Sequence, residues 1–104
     1  GINTAKEGIS CSYVDQACRS IIENHGYADF FNHSTGHGLG LEVHTLPRIH
    51  KSNNQLLQSN QVITIEPGIY LPDWGGVRIE DDCLIKSNQC IPLNKSPKEM
   101  LVLK

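Results

Sequence analysis

The sequence predicts an α+β fold, and three features carry that expectation. An amphipathic helical stretch opens the chain, β-branched and glycine-punctuated sequence follows Gly26, and turn residues separate the later apolar runs. Ser10 can cap a helix, because its side-chain oxygen accepts one of the backbone N–H groups left unpaired in a first turn. Val14, Ala17, Cys18, Ile21 and Ile22 recur at i, i+3, i+4, i+7 and i+8, which lines one helical face with apolar groups. Gly26 can end the helix because glycine adopts the left-handed conformation cheaply. The spacing therefore predicts a helix over residues 11–25.

Beyond it, Val62-Ile63-Thr64-Ile65 reads as a strand, with Ile69 and Tyr70 continuing after the Pro67-Gly68 break. Val77, Ile79, Cys83 and Ile85 read as another, with Gly75-Gly76 as the turn before it. Ser87-Asn88-Gln89 has the composition of a hairpin tip leading to Cys90-Ile91-Pro92-Leu93. Met100 to Leu103 could pair as a terminal strand, and residues 46–61, polar and aperiodic, read as a surface loop.

With 104 residues the chain is one domain at most, or a piece of one. Its 38% hydrophobic and 19% charged residues suit a soluble globular domain and are too apolar for a disordered one. The formal net charge of -2 gives no electrostatic reason to expect nucleic acid or an anionic membrane as partner. No apolar run approaches the roughly 20 residues needed to span a bilayer, and GINTAKEGIS lacks the basic and apolar regions of a signal peptide. The four cysteines form no C-x-x-C knuckle, so buried free thiols are the expectation, and reduced thiols suggest a cytoplasmic protein.

The most unusual stretch is His33-Ser34-Thr35-Gly36-His37-Gly38-Leu39-Gly40-Leu41-Glu42-Val43-His44, where three of the five histidines are interleaved with three glycines. In an extended strand, residues four apart face the same way, so His33 and His37 would project into one space. Glycines are poor strand formers and make sense where a ligand or another backbone approaches closely. Imidazole is a metal ligand and proton carrier near neutral pH; a solvated histidine-rich loop is the alternative.

Two carboxylates bear on the choice. Glu66 ends the apolar run Val62 to Ile65, and Glu80 follows Val77-Arg78-Ile79. A glutamate at the end of a buried strand is costly unless a cation or hydrogen bonds compensate it. One histidine and two glutamates are a reasonable set for Mn, Co or Zn. Otherwise Glu66 is a solvated turn carboxylate and Glu80 an ion-pair partner of Arg78.

HSTGHGLGLEVH resembles the histidine signature of the Xaa-Pro dipeptidases and aminopeptidases P. Glu66-Pro67-Gly68-Ile69-Tyr70 is similar to that family's E-P-G-[IL]-Y element, and Gly76-Val77-Arg78-Ile79-Glu80-Asp81-Asp82 to its G-[VI]-R-I-E-D element. The three motifs stand in family order, and the likeness runs from about Gly8 to the end, including Ser96-Pro97-Lys98-Glu99.

The resemblance implies the C-terminal half of a pita-bread fold, with one long helix packed on a curved, mainly antiparallel sheet. It implies a pair of divalent metals held in the complete enzyme by two aspartates, one histidine and two glutamates. Carried across, His37, Glu66 and Glu80 are the metal ligands, with Glu66 also the general base. His33 and His44 orient the substrate and stabilise charge on the tetrahedral intermediate. Arg78 supports the Glu80 carboxylate from behind. Arg48 is a candidate clamp for the free carboxylate of a dipeptide, or else a solvated loop arginine.

Two departures matter. Thr45 replaces the acidic residue that usually follows His44, and neither aspartate ligand is present. Residues 1–104 therefore read as a partial catalytic domain able to hold at most one metal unaided. Such a half should expose apolar strand surface and pair with an upstream half or with itself. The expected substrate is a proline-containing dipeptide or peptide. The competing readings are a non-catalytic pita-bread module that binds a protein, and a methionine aminopeptidase or creatinase-like relative.

Overall fold

The computed structural model describes residues 1–104. One helix, α1 (Cys11–Asn24), packs on a sheet built from β1 (Gly36–Gly38), β2 (Thr45–Ile49), β3 (Val62–Ile65), β6 (Asp81–Ile85) and β7 (Cys90–Pro92). Its strand order is β2-β1-β3-β6-β7 and every pairing is antiparallel. The intervening β4 (Gly68–Leu71) and β5 (Gly75–Arg78) pair only with each other, as a separate two-stranded ribbon. The α+β class and the antiparallel sheet are as the sequence predicts.

The helix starts and stops where its caps dictate. Ser10 Oγ accepts the Tyr13 N–H at 3.2 Å, and Gly26, at φ +84°, turns the chain out. Its other early N–H groups are taken by the loop after β2: Cys11 N–H donates to Gln55 O at 2.9 Å and Ser12 N–H to Asn53 O at 2.7 Å. Cys11, Val14 and Cys18 enter the core with Phe31, Ile49, Leu57, Ile63, Ile65, Cys83, Ile85 and Cys90. The buried stripe also takes in Asp15, and Ile21, expected on the apolar face, is 60% exposed. A charged residue displaces the stripe because it has polar partners to meet, described below.

Other expectations change in detail. Residues 46–61 are not all loop, since β2 claims residues up to Ile49 and Ser10 bridges to Leu56. Gly75-Gly76 lies inside β5, and the turn is made one step earlier by Asp73, at φ 60°, and Trp74. The run from Val77 to Ile85 is two strands in two sheets, broken at Ile79-Glu80, because Ile79 N–H bonds Pro67 O while Asp82 N–H bonds Asn94 Oδ1 at 2.8 Å. Met100 to Leu103 form no strand and are exposed. The hairpin tip at Ser87–Gln89 is present, joining β6 to β7 through Lys86 N–H to Gln89 O.

All four cysteines are buried and unpaired. The Cys90 thiol beside it and burial push the Cys83 thiol up, which keeps it protonated and unreactive. No helix is long and apolar enough to cross a membrane.

Candidate metal centre

Strand alternation puts the site on the face of β3 away from the helix. Ile63 and Ile65 point into the core, so Thr64 and the residue after the strand, Glu66, share the opposite face. There Thr64 Oγ1 donates to Glu66 Oε1 at 2.9 Å and accepts the His37 N–H at 3.0 Å. The glycines around His37 permit this crowding. A Cβ on Gly36 would overlap the Thr64 carbonyl, and one on Gly38 the Leu46 carbonyl. The pairing of β1 with β2 shifts register between His37 and Gly38, an irregularity of the kind that re-aims a side chain.

His37 Nε2 lies 3.1 Å from Glu66 Oε1, while its Nδ1 faces Gly38 O at 2.8 Å. A carbonyl can only accept, so Nδ1 carries a proton and Nε2 meets the carboxylate. Nε2 thus meets a carboxylate oxygen, an arrangement that a proton shared between them or a cation bridging them would satisfy. That donor set, an imidazole nitrogen and a carboxylate oxygen on one wall, is of a kind that binds divalent metals.

The wall closes one side of an open cavity of about 800 Å³ that also has His33, His44, Thr45, Arg48 and Arg78 on its lining. His44 packs its ring edge-to-face on that of His37, with centroids 4.4 Å apart. His33 donates Nδ1–H to Ser34 O at 2.7 Å, leaving Nε2 to accept from the Tyr70 hydroxyl at 2.9 Å. That hydroxyl in turn accepts from Arg78 Nη1 at 3.2 Å. Arg48, also on the lining, donates Nε to Ser34 Oγ at 2.9 Å and pairs with no acidic side chain.

Glu80 does not join them. It lies in a separate groove with Lys98, Ser96 and Met100, its carbonyl held by Asn94 Nδ2 at 3.2 Å. No three His, Cys, Asp or Glu side chains converge on a common point anywhere in the chain. The expected convergence of His37, Glu66 and Glu80 is therefore realised for the first two alone. Arg78 makes its side-chain contacts with the Tyr70 hydroxyl and, at 3.8 Å, Glu66 Oε2, and forms no ion pair with Glu80. Glu80 stands between β5 and β6, which belong to different sheets.

Four residues escaped sequence reasoning. Tyr70 has no assigned role within the Glu66–Tyr70 motif, and Thr64 reads only as part of the strand Val62 to Ile65. Asp15 and Thr35 were passed over, although both are fully buried. Asp15 Oδ1 accepts the Thr35 hydroxyl at 2.9 Å and its N–H at 3.2 Å, and Arg19 grips both carboxylate oxygens. Burial alone would raise the Asp15 carboxyl, but the Arg19 fork and the Thr35 hydrogen bonds outweigh it and hold it below the usual carboxylate range. A carboxylate one position off an apolar helical stripe, four residues before an arginine, was the available signal.

An imidazole and a carboxylate thus meet on the wall of an open cavity in an antiparallel α+β domain of the pita-bread class, with side chains of metal-ligand type. The chain belongs to metallopeptidase family M24, whose model matches residues 1–87. It is 48% identical over 100 residues to the Xaa-Pro dipeptidase of Pyrococcus horikoshii, covering 96% of this chain and 28% of that protein. Among solved structures, the Xaa-Pro dipeptidase from Bacillus anthracis superposes with a TM-score of 0.96 at 42% identity, covering 98% of this chain and 29% of that one. The X-Pro aminopeptidase from Thermotoga maritima gives 0.94 at 42% identity, with the same two coverages, 98% and 29%. The chain thus spans little more than a quarter of the length of the relatives it matches.

Proposed function

We propose that, in the complete protein, this chain supplies the histidine-and-glutamate part of a metallopeptidase site that hydrolyses the bond before proline. The approach of His37 Nε2 to Glu66 Oε1 at 3.1 Å, on the wall of a cavity with two further histidines, carries the reading. His37, Glu66 and, by its motif, Glu80 hold the metals, manganese being a suitable one, with two aspartates from an upstream half completing a pair. Divalent metals bound there would polarise the scissile carbonyl and lower the pKa of a water molecule.

The chain's own residues do the rest. Glu66 Oε2, which Thr64 leaves free, takes the proton of the attacking water. His33 and His44 face the substrate and stabilise charge developing on its carbonyl oxygen. Arg48 grips the free carboxylate of an Xaa-Pro dipeptide with its unclaimed nitrogens, which favours dipeptides over longer peptides. The upstream half covers the exposed Leu41, Val43, Trp74, Val77 and Ile79. Four buried, unpaired thiols suit a cytoplasmic setting.

A protein-binding module of the same fold without turnover is the second reading, and the separate placement of Glu80 favours it. Calorimetric titration of the chain with Mn²⁺, then assays on an Xaa-Pro dipeptide and a longer Xaa-Pro peptide with and without the upstream half, separate the two. The peptidase reading expects one ion per chain, lost in His37→Ala, and hydrolysis only once the upstream half is supplied. A complete protein that binds Mn²⁺ weakly or not at all and turns over neither substrate would sink it.

A further inference from the structure

The segment from Phe31 to Thr35 belongs to no strand, yet its backbone is held as firmly as if it did. On the side facing α1, two helical side chains do the work of a neighbouring strand. Arg19 Nη1 donates to Phe31 O at 2.9 Å and Nη2 to His33 O at 3.0 Å, while Asp15 receives the N–H and hydroxyl of Thr35. Alternate residues 31, 33 and 35 are pinned in turn. The pair is locked by its own fork, Arg19 Nε to Asp15 Oδ2 at 2.8 Å and Nη2 to Oδ1 at 3.1 Å, and the guanidinium lies 4.1 Å from the Phe31 ring centroid.

The same segment bears the cavity groups on its other side. His33 Nδ1 donates to Ser34 O, the carbonyl directly after the one Arg19 holds. Thr35 O accepts the Glu66 N–H at 2.7 Å, on the same residue whose N–H and hydroxyl Asp15 holds. Neither charged side chain makes a side-chain hydrogen bond outside residues 15, 19 and 31–35. A buried ion pair adds little stability over an apolar pair of the same volume, so its value lies in what it fixes.

We propose that Asp15 and Arg19 are positioning residues: by pinning the backbone of residues 31–35 from the helix, they set the Nδ1–H tautomer and ring orientation of His33 and the angle at which Glu66 enters the cavity. The catalytic meaning of this rests on the peptidase reading, whereas the tautomer does not. A neutral imidazole in water favours the Nε2–H form; the Nδ1–H form here is favoured by the Ser34 carbonyl at Nδ1, with the Tyr70 hydroxyl at Nε2, and the first of these contacts depends on where residues 33–35 are held.

Long-range ¹H–¹⁵N correlation spectra of the His33 ring in the chain test this directly. The parent chain should show Nδ1–H. Asp15→Asn and the milder Arg19→Lys should both revert toward the solvent-like Nε2–H form, while Val14→Ala, a core truncation on the same helix, should leave the tautomer unchanged. The proposal is overturned if Nδ1–H persists in a folded Asp15→Asn or Arg19→Lys chain, or if Val14→Ala shifts the ring equally. It is also overturned if both pair variants lose the fold, for the pair is then a global stabiliser.

In the complete enzyme, Asp15→Asn should lower kcat on the order of 10- to 100-fold with KM little changed, as misplaced groups do, and Val14→Ala should not. A parent enzyme without Xaa-Pro hydrolysis would remove the peptidase reading and leave the tautomer measurement to decide the positioning.

Discussion

Glu66 and Glu80 come from adjacent motifs of similar texture, each a glutamate after a β-branched run, yet they end in different surroundings. Glu66 follows a strand with three buried residues, and Thr64, His37 and the Thr35 carbonyl fix its backbone and one carboxylate oxygen. Glu80 follows β5, whose four residues are all exposed, and only its carbonyl is anchored, to a side chain of the C-terminal segment. One wall of the site is thus built by the core of this chain, and the other is a peripheral ribbon with little behind it. Side-chain chemistry was equal at the two positions; the support differed.

The largest test of that contrast is His37→Ala. If the His37–Glu66 wall is the cation-binding part of this chain, Mn²⁺ affinity should fall by on the order of 100-fold or more, beyond the 10- to 100-fold typical of losing a group behind a ligand. Calorimetry on the isolated chain reads it. An unchanged affinity would move the site elsewhere and dissolve the distinction between the two walls.

Next in size is a glycine pair. In Gly36→Ala the new methyl overlaps the Thr64 backbone carbonyl, which cannot give way without opening β1 from β3, whereas Gly40→Ala meets open space. The first should cost about 1–3 kcal/mol or more, the usual range for overpacking, and the second close to nothing. Urea denaturation with unchanged m-values checks both. Equal effects would mean the supported wall is less tightly built than its contacts indicate.

What the sequence made legible follows the same division. The helix was readable because Ser10, Gly26 and a 3.6-residue period are local signals, and β3 because four consecutive strand formers need no distant information. His33, His37 and Glu66 were readable from motifs and do share one cavity. The separation of β5 from β6 was not readable, because strand choice depends on Pro67 and Asn94, 12 residues from the break in one direction and 14 in the other. Asp15 was missed for a related reason. A buried charge looks like an error on an apolar stripe until its partners at Arg19 and Thr35 are in view.

A smaller effect separates the walls by pH. Asp15 is held below its ordinary value in the folded chain, so it binds its proton less readily folded than unfolded. Its stabilisation is complete above the unfolded value of about 3.9 and is lost as pH falls through the depressed folded value. Stability measured by urea between pH 6 and 2 should therefore fall on the acid side, and Asp15→Asn should flatten that limb. A limb of undiminished slope in the variant would assign the acid loss to the other carboxylates.

The smallest expected effect is the most discriminating. In the arrangement seen here Glu80 shares no point with His37 and Glu66. Glu80→Gln should leave both the stability of the isolated chain and its Mn²⁺ affinity nearly unchanged, because an exposed carboxylate with no ion pair loses little on neutralisation. The same substitution in the complete protein is expected to weaken metal binding sharply, since the peptidase reading counts Glu80 among the metal ligands there. A large loss already in the isolated chain would mean that Glu80 swings across Ile79 toward the His37 wall on its own. A change of conformation at the Ile79-Glu80 break, rather than the upstream half, would then be what completes the protein's share of the site.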